Sequence, residues 1–188
     1  MKPRLIVGIT GASGSLLARC LLEKSTFPTV LIAGRWGRRV YESECGSFDE
    51  LTTLASDVYE SDDMFAPVAS GSVETVGMVV APCSAGTLGR IASGTSADLI
   101  CRAAHCHLKE RRKLILCLRE SPLTQIDLRN GCVAADAGAV IMPLSFPFYM
   151  YSGKAPGEIP LIDLMNAFAE RVLRHFGQTP TATWEDVR

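Results

Sequence analysis

Five short runs of almost uninterrupted apolar residues divide this sequence and limit its fold more than any other feature. Each run predicts a β-strand that is buried on both sides, which is typical of a parallel sheet covered on both faces. Helical patterns fill most of the intervals, so we predict a three-layer, doubly wound α/β fold with a mostly parallel sheet. Residues 45–75 show neither pattern clearly and are expected to form a long loop. The predicted strands lie at about 4–9, 29–33, 76–81, 113–118 and 138–142, and the predicted helices at about 14–24, 36–44, 84–94, 97–110, 124–136 and 158–176.

Length, charge and cysteine content narrow the class of protein. The 188 residues are most simply one domain, residues 1–188, and 47% of them are hydrophobic, which is enough to bury a core. A net charge of −1 gives no electrostatic reason to expect nucleic acid or an anionic membrane as a partner. The chain leads into its first strand without room for a signal peptide, and no apolar run is long enough to cross a bilayer. Seven cysteines without a repeated close spacing indicate reduced thiols, so we expect a cytoplasmic protein.

A glycine-rich turn, residues 8–14 (Gly-Ile-Thr-Gly-Ala-Ser-Gly), follows the first predicted strand and leads into leucines at helical spacing. Glycines allow a ligand to approach the backbone closely, and the first N–H groups of a helix attract an anion. The turn therefore predicts a phosphate-binding loop. A glycine turn that opens an α/β domain without any ligand has the same local pattern.

A second candidate site follows the third predicted strand, where residues 82–87 (Pro-Cys-Ser-Ala-Gly-Thr) open a helix. Ser84 and Thr87 are three residues apart, so their hydroxyl groups lie on one face of that helix. Together with the N–H groups of the first turn, they can hold a phosphate or the ring oxygens of a ligand. A serine N-cap alone would explain Ser84, but a second helix start of this kind favours a cofactor site.

Residues 101–109 contain two cysteines and two histidines, which suggests a metal site at first sight. Only Cys101 and His105 share a helix face, however, and no second cluster completes four ligands, so we expect no bound metal. Arg102 and Lys109 are two helical turns apart and also share a face. Because arginine and lysine both bind phosphate, this pair is a candidate anion site, with two surface cations as the alternative.

Two further segments place chemical groups beyond the ends of predicted strands. Arg119 and Glu120 follow the fourth strand, where an α/β enzyme would hold an acid or base with its charge partner, and where a structural ion pair is equally possible. Residues 143–149 form an apolar, aromatic segment that ends in Tyr149. Such a segment can wall a pocket for a hydrophobic substrate. Arg171, on the last predicted helix, can neutralise an anionic group nearby.

Seven motifs, in order, resemble those of the UbiX-type flavin prenyltransferases. The resemblance runs from about residue 4 to residue 177 and is most specific over residues 102–149. The motifs are Gly-Ala-Ser-Gly after the first strand, Ser70-Gly71-Ser72, Pro-Cys-Ser-x-x-Thr, Arg-Ala-Ala-x-x-x-Leu-Lys-Glu-Arg-Arg, Arg-Glu-x-Pro-Leu, Gly-Ala-Val-Ile-Met-Pro and Phe-Tyr. The resemblance implies a Rossmann-like or flavodoxin-like domain that assembles into a homo-oligomer, a dodecamer, with its sites built between subunits.

The same resemblance implies a transferase that needs no metal. Such an enzyme binds reduced FMN and joins to it a dimethylallyl group taken from dimethylallyl phosphate or pyrophosphate. The product, prenylated FMN, is the cofactor of UbiD-like decarboxylases, which are therefore the expected recipients.

The resemblance also assigns roles to individual residues. Cations would stabilise the departing phosphate while a carboxylate manages the flavin proton. Glu44 is aligned across a one-residue insertion, so Glu42 remains an alternative for it. FMN would be bound by Gly11, Ala12, Ser13, Ser84, Ala85, Gly86, Thr87 and Arg102, the prenyl phosphate by Lys109, Tyr149 and Arg171, and the catalytic residues would be Glu44, Lys109 and Glu120.

Several positions depart from the family pattern and keep two other functions open. After the second strand the family often has Ser-Lys where this chain has Ala33-Gly34-Arg35, so one phosphate-binding hydroxyl is missing, and Met150 replaces a histidine after Phe-Tyr. A non-catalytic FMN-binding subunit of a decarboxylase complex is one alternative. A flavin-dependent cysteine decarboxylase is the other, although such enzymes use an early histidine and none precedes His105 here.

Overall fold

The computed structural model describes residues 3–181, 183 and 185. Six strands form one sheet, in which every neighbouring pair is parallel. The strands are β1 (Arg4–Ile9), β2 (Thr29–Ala33), β3 (Asp57–Glu60), β4 (Thr75–Cys83), β5 (Leu114–Leu118) and β6 (Val140–Ile141). The helices are α1 (Leu16–Lys24), α2 (Arg35–Cys45), α3 (Phe48–Thr52), α4 (Ala85–Ala92), α5 (Leu99–Lys109), α6 (Gln125–Asp136) and α7 (Leu161–Arg174). Short 3-10 turns occupy Pro67–Ala69, Phe148–Tyr151 and Pro156–Glu158.

The strand order β3-β2-β1-β4-β5-β6 confirms the doubly wound prediction. The order reverses between β1 and β4, so the loops that follow these two strands diverge and leave a crevice at their carboxyl ends. No helix in the described part of the chain has the length and apolar character that a membrane crossing requires.

Two apolar clusters, one on each face of the sheet, form the core and explain the continuous apolar runs. In β1, Leu5, Val7 and Ile9 pack on the side of α1 and α7, whereas Ile6 packs on the side of α4 and α5. All residues of β2 and β5 are buried, as expected for strands covered on both faces. The sheet therefore fixes the positions of the loops that follow β1, β2 and β4.

The prediction of a long loop over residues 45–75 was wrong in part. Ser47 caps the short helix α3 by accepting a hydrogen bond from the backbone N–H of Glu50, and β3 follows as an edge strand. Residues of β3 alternate between half-buried and exposed, so they lack the continuous apolar run by which the other strands were found. The fifth predicted strand, at 138–142, is also shorter in the structure and is reduced to Val140–Ile141.

Candidate active site

A cleft of about 480 Å³ opens at the carboxyl ends of β1, β2 and β4. It lies between the glycine-rich turn, the start of α2 and the start of α4, where the sequence predicted ligand binding. Three of the predicted residues, Gly11, Ser84 and Thr87, line this cleft together. Because α2, α4 and α5 all begin at the cleft, the positive ends of three helix dipoles face it, which favours an anionic ligand.

Thr10 connects the two predicted loops. Its buried hydroxyl donates to the backbone carbonyl of Pro82 at 2.7 Å and accepts from the backbone N–H of Ser84 at 2.9 Å. Ser84 then caps α4 by accepting from the N–H of Thr87 at 3.2 Å, and its hydroxyl is 3.0 Å from that of Thr87. These bonds hold both loops in one fixed arrangement. Ala85 and Gly86 form the first turn of α4.

The glycine at position 11 is required by a close approach of α2. A Cβ atom at Gly11 would lie 2.9 Å from the Cβ atom of Trp36, which is closer than carbon atoms pack. The Trp36 side chain is 58% exposed, and the guanidinium of Arg35 lies 4.7 Å from its ring centre. Trp36 and Arg35 thus give the cleft an aromatic and cationic rim that the sequence analysis did not identify.

Glu44 reaches from the last turn of α2 to the glycine-rich turn. Its Oε2 atom accepts hydrogen bonds from the backbone N–H groups of Gly14 and Ser15, each at 2.9 Å. Burial alone would raise the pKa of Glu44. Hydrogen bonds from the Ser13 hydroxyl and the two amides, together with the nearby charge of Arg119, outweigh burial and lower that pKa. Among the described contacts it is Glu44, and not Glu42, that holds the glycine-rich turn.

An ion pair that sequence reasoning missed lies between α4 and α5 at the cleft. Arg90 Nη2 donates to the Thr87 hydroxyl at 3.0 Å and lies 3.4 Å from Asp98 Oδ2. Asp98 also caps α5 by accepting from the N–H of Cys101 at 2.8 Å. Burial raises the pKa of the Cys101 thiol to about 11, so this thiol stays protonated beside Arg90. An Asp before a helix is a recognisable N-cap signal, but its pairing with Arg90 depends on how the two helices pack.

Arg102 and Lys109 share one face of α5, as the spacing predicted. Arg102 Nε donates to the carbonyl of Ala69 at 2.9 Å, and Lys109 forms an ion pair with its neighbour Glu110. A Cβ atom at Gly71 would lie 2.6 Å from Lys109 Nζ, so the lysine covers the segment after the first 3-10 turn. Neither Arg102 nor Lys109 lines the cleft described above.

Tyr149 and Arg171 line a second, smaller pocket of about 200 Å³ together with Arg174. The segment after β6 brings Tyr149 against α7, which carries both arginines. Glu170 also lines this pocket, but its carboxylate forms an ion pair with Lys24 at 2.8 Å. The pocket therefore presents a phenol and two guanidinium groups, a combination suited to a phosphate ester.

Within one chain, the cleft lies apart from two cationic pairs, which are Arg102 with Lys109 on α5 and Tyr149 with Arg171 at the second pocket. Asp98 marks the cleft end of α5, and Lys109 is eleven residues further along, about 16 Å at the rise of an α-helix. Phe176, just after α7, lies against Gly77 near the start of β4, whereas the cleft lies at the other end of that strand, about 20 Å away. The four residues Arg102, Lys109, Tyr149 and Arg171 thus form two pairs rather than one site within a single chain.

Comparison with known proteins identifies the family of this chain. The model of the Flavoprotein family matches residues 1–156. Flavin prenyltransferase UbiX of Deinococcus radiodurans is 42% identical over 179 residues, which are 93% of this chain and 89% of that protein. The chain belongs to the UbiX flavin prenyltransferases.

Solved structures of UbiX proteins show the same fold. The crystal structure of AnUbiX (PadA1) in complex with FMN and dimethylallyl pyrophosphate gives a TM-score of 0.87 at 37% identity, and the match covers 96% of this chain and 95% of that one. A dodecameric FMN-dependent UbiX-like decarboxylase from Escherichia coli O157:H7 gives a TM-score of 0.85 at 34% identity, covering 96% and 98%. Like them, this UbiX protein has the all-parallel sheet on which the cleft is built.

Glu120 of this UbiX protein follows β5, and its side chain is exposed. Its Oε1 atom accepts from the backbone N–H of the next residue at 3.1 Å. The predicted pairing with Arg119 is not found, because no ion pair joins these two among the described residues. Arg119 instead lies beside the glycine-rich turn, where its charge acts on Glu44. A carboxylate on α2 and a cation just after β5 therefore influence each other at this edge of the sheet.

The cysteines and histidines of α5 in this UbiX protein have other partners. His107 is buried, with Nδ1 2.7 Å from the carbonyl of Ala103 and Nε2 2.8 Å from the Thr75 hydroxyl. Burial lowers the pKa of His107, so the ring is neutral at pH 7. Within residues 3–181, 183 and 185, no group of three or more His, Cys, Asp or Glu side chains is arranged to hold a metal ion.

Proposed function

We propose that this protein joins a dimethylallyl group, taken from dimethylallyl phosphate or pyrophosphate, to reduced FMN. The observation that carries the proposal is the cleft at which three helices begin, directly beside the turn that Glu44 holds. Prenylated FMN would then pass to a UbiD-like decarboxylase. The same proposal places the protein in the cytoplasm, in keeping with its seven free cysteines.

The residues of the cleft fit a flavin nucleotide. Gly11 lines the cleft and allows α2 to pack closely against the turn, and Ser84 and Thr87 offer hydroxyl groups beside the N–H groups of α4. The buried Ser15 hydroxyl, under the same turn, has no hydrogen-bond partner among the described residues. We assign Gly11, Ala12, Ser13, Ser84, Ala85, Gly86 and Thr87 to the binding of FMN, with Arg102 contributed by a neighbouring subunit.

Three side chains suit the leaving group of the prenyl donor. Lys109 and Arg171 carry positive charge, and Tyr149 supplies a phenol at the pocket that Arg171 lines. Charge accumulates on the phosphate as the carbon–oxygen bond of the donor breaks, and fixed cations stabilise that change. Reduced FMN supplies the nucleophilic ring that receives the dimethylallyl group.

Carboxylates complete the proposed chemistry. Glu44 is held in its ionised form by the Ser13 hydroxyl and two amides, so it offers a fixed negative charge that can stabilise a positive charge at the turn. Glu120, two residues beyond the end of β5, is exposed to solvent. We assign charge stabilisation to Glu44 and Lys109, and proton transfer to Glu120.

Assembly of several copies would bring these groups together. The cleft and the two cationic pairs are separated within one chain, so a complete site requires more than one subunit. Large apolar side chains are exposed on several elements, which is typical of surfaces that pack against another copy. These include Phe65 at 101% exposure, Ile126 at 69% and Phe148 at 66%. We propose a homo-oligomer, in keeping with the dodecameric relative.

One measurement tests the proposed function. Purified protein is incubated without oxygen with reduced FMN and either dimethylallyl phosphate or dimethylallyl pyrophosphate, and the mass of the flavin is determined. We expect a flavin heavier by one prenyl unit with at least one donor. An unchanged flavin mass with both donors, while FMN still binds, would contradict the proposal and favour a non-catalytic FMN-binding subunit.

A further inference from the structure

Ser61 is held at the cleft by its backbone on both sides. Its N–H donates to the carbonyl of Ala33 at the end of β2, at 3.0 Å, and its carbonyl accepts from the N–H of Leu99 at the start of α5, at 2.7 Å. The residue lines the cleft. Its hydroxyl has no hydrogen bond to any other residue in the described part of the chain. Because the backbone of Ser61 is fixed and its hydroxyl donor is not used by the described residues, the hydroxyl is available to a ligand.

The hydroxyl of Ser61 occupies the space that a side chain at position 34 would need. A Cβ atom at Gly34 would lie 2.8 Å from Ser61 Oγ and 3.4 Å from Ser61 Cβ. The first distance is a clash and the second is ordinary contact. Positions 34 and 61 therefore compete for the same space at the cleft, and in this chain the side chain there comes from the turn after β3 and not from the loop after β2.

This place lies where α2 begins. Gly34 is the N-cap of α2 and supplies no side-chain acceptor, so the N–H groups of the first turn remain available to a ligand. Arg35 adds a cation at the rim of the cleft. Among the described residues that line the cleft, Asp98 supplies the carboxylate, and it is paired with Arg90 and caps α5, so its charge is largely offset.

A phosphate dianion matches this combination of groups better than any other part of FMN. The phosphate carries the full formal charge of the nucleotide at neutral pH, and hydroxyl groups with helix N–H groups are its usual donors. The isoalloxazine ring, in contrast, offers only carbonyl and ring nitrogen atoms.

We propose that Ser61 is a binding residue for the FMN phosphate and replaces the hydroxyl that glycine at position 34 cannot supply. Ser61 donates its O–H to a phosphate oxygen, and Gly34 keeps the space for that hydroxyl open. The inference rests on the proposed binding of FMN at the cleft and adds a residue that neither the motifs nor the family resemblance assigned.

The test compares two flavins that differ only in the phosphate. Apoprotein is titrated with FMN and with riboflavin, and the dissociation constants are obtained from the quenching of flavin fluorescence. Ser61→Ala is expected to raise the dissociation constant for FMN about tenfold or more and to leave that for riboflavin within twofold. Retained riboflavin binding shows that the variant is folded. Ser56→Ala, at the opposite end of β3, is the control and should bind both flavins as the wild type does.

A pair of double variants tests whether the two positions share one place. Gly34→Ser/Ser61→Ala supplies the hydroxyl from position 34 instead of position 61. Because Ser61 Oγ is removed, the new Cβ atom at position 34 makes only ordinary contact with the Cβ atom at position 61. It should restore FMN affinity to within about threefold of the wild type. Gly34→Ala/Ser61→Ala adds the same Cβ without the hydroxyl and should stay as weak as Ser61→Ala.

Three results would overturn this inference. They are wild-type FMN affinity in Ser61→Ala, an equal loss for FMN and riboflavin, and a serine double variant no tighter than the alanine one. Failure of the proposed function would give a different result from failure of this inference. If prenyl transfer is absent but the flavin pattern holds, Ser61 remains a phosphate-binding residue of an FMN-binding protein.

Discussion

Glu44 illustrates how one residue can be both part of the site and part of the fold. Its carboxylate accepts two backbone N–H groups from the turn between β1 and α1. One of these amides, that of Ser15, belongs to the N-cap of α1, and N–H groups at a helix start lack an acceptor within the helix. The same carboxylate is a candidate catalytic group. Its removal should therefore affect stability as well as chemistry.

Replacing Glu44 with alanine should destabilise the protein by about 1–2 kcal/mol at neutral pH, because two amides lose a charged acceptor. The measurement is urea-induced unfolding of the variant and the wild type. Glu42→Ala, which removes an exposed carboxylate from the same helix, should change the free energy of unfolding by less than about 0.5 kcal/mol. Equal losses in the two variants would contradict a special role of Glu44.

The Glu44 effect should also depend on pH in a defined direction. The folded protein holds the pKa of Glu44 below the ordinary value of 4.5. Its contribution to stability is therefore complete above that value and is lost as the pH falls through the lower, folded pKa. The wild type and Glu44→Ala should converge in free energy of unfolding as the pH is lowered from about 5 to about 3. A difference that stays constant over this range would show that the charge contributes nothing.

For single residues, the sequence predicted those whose position depends only on the strand directly before them. Gly11, Ser84 and Thr87 are found together because each stands directly after a strand, and the strand pattern alone places them at one edge of the sheet. Ser61 and Arg90 could not be found in the same way. Their importance comes from contacts with Gly34 and Asp98, which depend on how neighbouring elements pack.

Among the elements, α5 links the two kinds of site. Its first turn borders the cleft through Asp98, and its last residue is Lys109, a full helix length away. One helix therefore presents flavin-facing groups at one end and a candidate donor-binding cation at the other. Because one rigid helix fixes both positions, its two ends serve different sites within one chain. They can contribute to the same kind of site only if that site combines residues from two copies of the chain.

Lys109→Ala should separate prenyl transfer from flavin binding. We expect kcat/KM for the dimethylallyl donor to fall by about a hundredfold or more, since a fixed cation that stabilises the leaving phosphate is lost. The dissociation constant for FMN should stay within about twofold, because Lys109 is assigned to the leaving phosphate of the donor and not to FMN. Lys113→Ala, just beyond the same helix, is the matched control. Unchanged turnover of Lys109→Ala would remove this lysine from the mechanism.

The elements themselves were predictable where burial on both faces or a cap was visible in the sequence. β1, β2 and β5 are continuous apolar runs, and their bounds fall within a residue of the prediction. β3 was missed because an edge strand is only half-buried, so its sequence need not be apolar throughout. Ser47 followed by Glu50 is a capping signal that would have indicated α3.

For the whole molecule, the separation of the cationic pairs is the main constraint on function. Lys109 lies on the face of the sheet that α4 and α5 cover, and Arg171 lies on the face that α1 and α7 cover. Within a single chain, the sheet therefore separates the two helices that carry them. If both bind the same donor, they must come from different subunits, and the oligomer is then part of the active site.

Mixing two inactive variants tests this sharing of the active site. Lys109→Ala and Arg171→Gln should each be almost inactive alone. In oligomers formed by co-expression, a site between two chains combines an intact Lys109 from one with an intact Arg171 from the other. Random pairing at equal amounts makes about one quarter of such sites complete, so about a quarter of wild-type prenyl transfer should return. Each variant expressed alone, at the same total concentration, is the control. If both residues acted within one chain, every site would carry one of the substitutions, and the mixture would stay as inactive as its components.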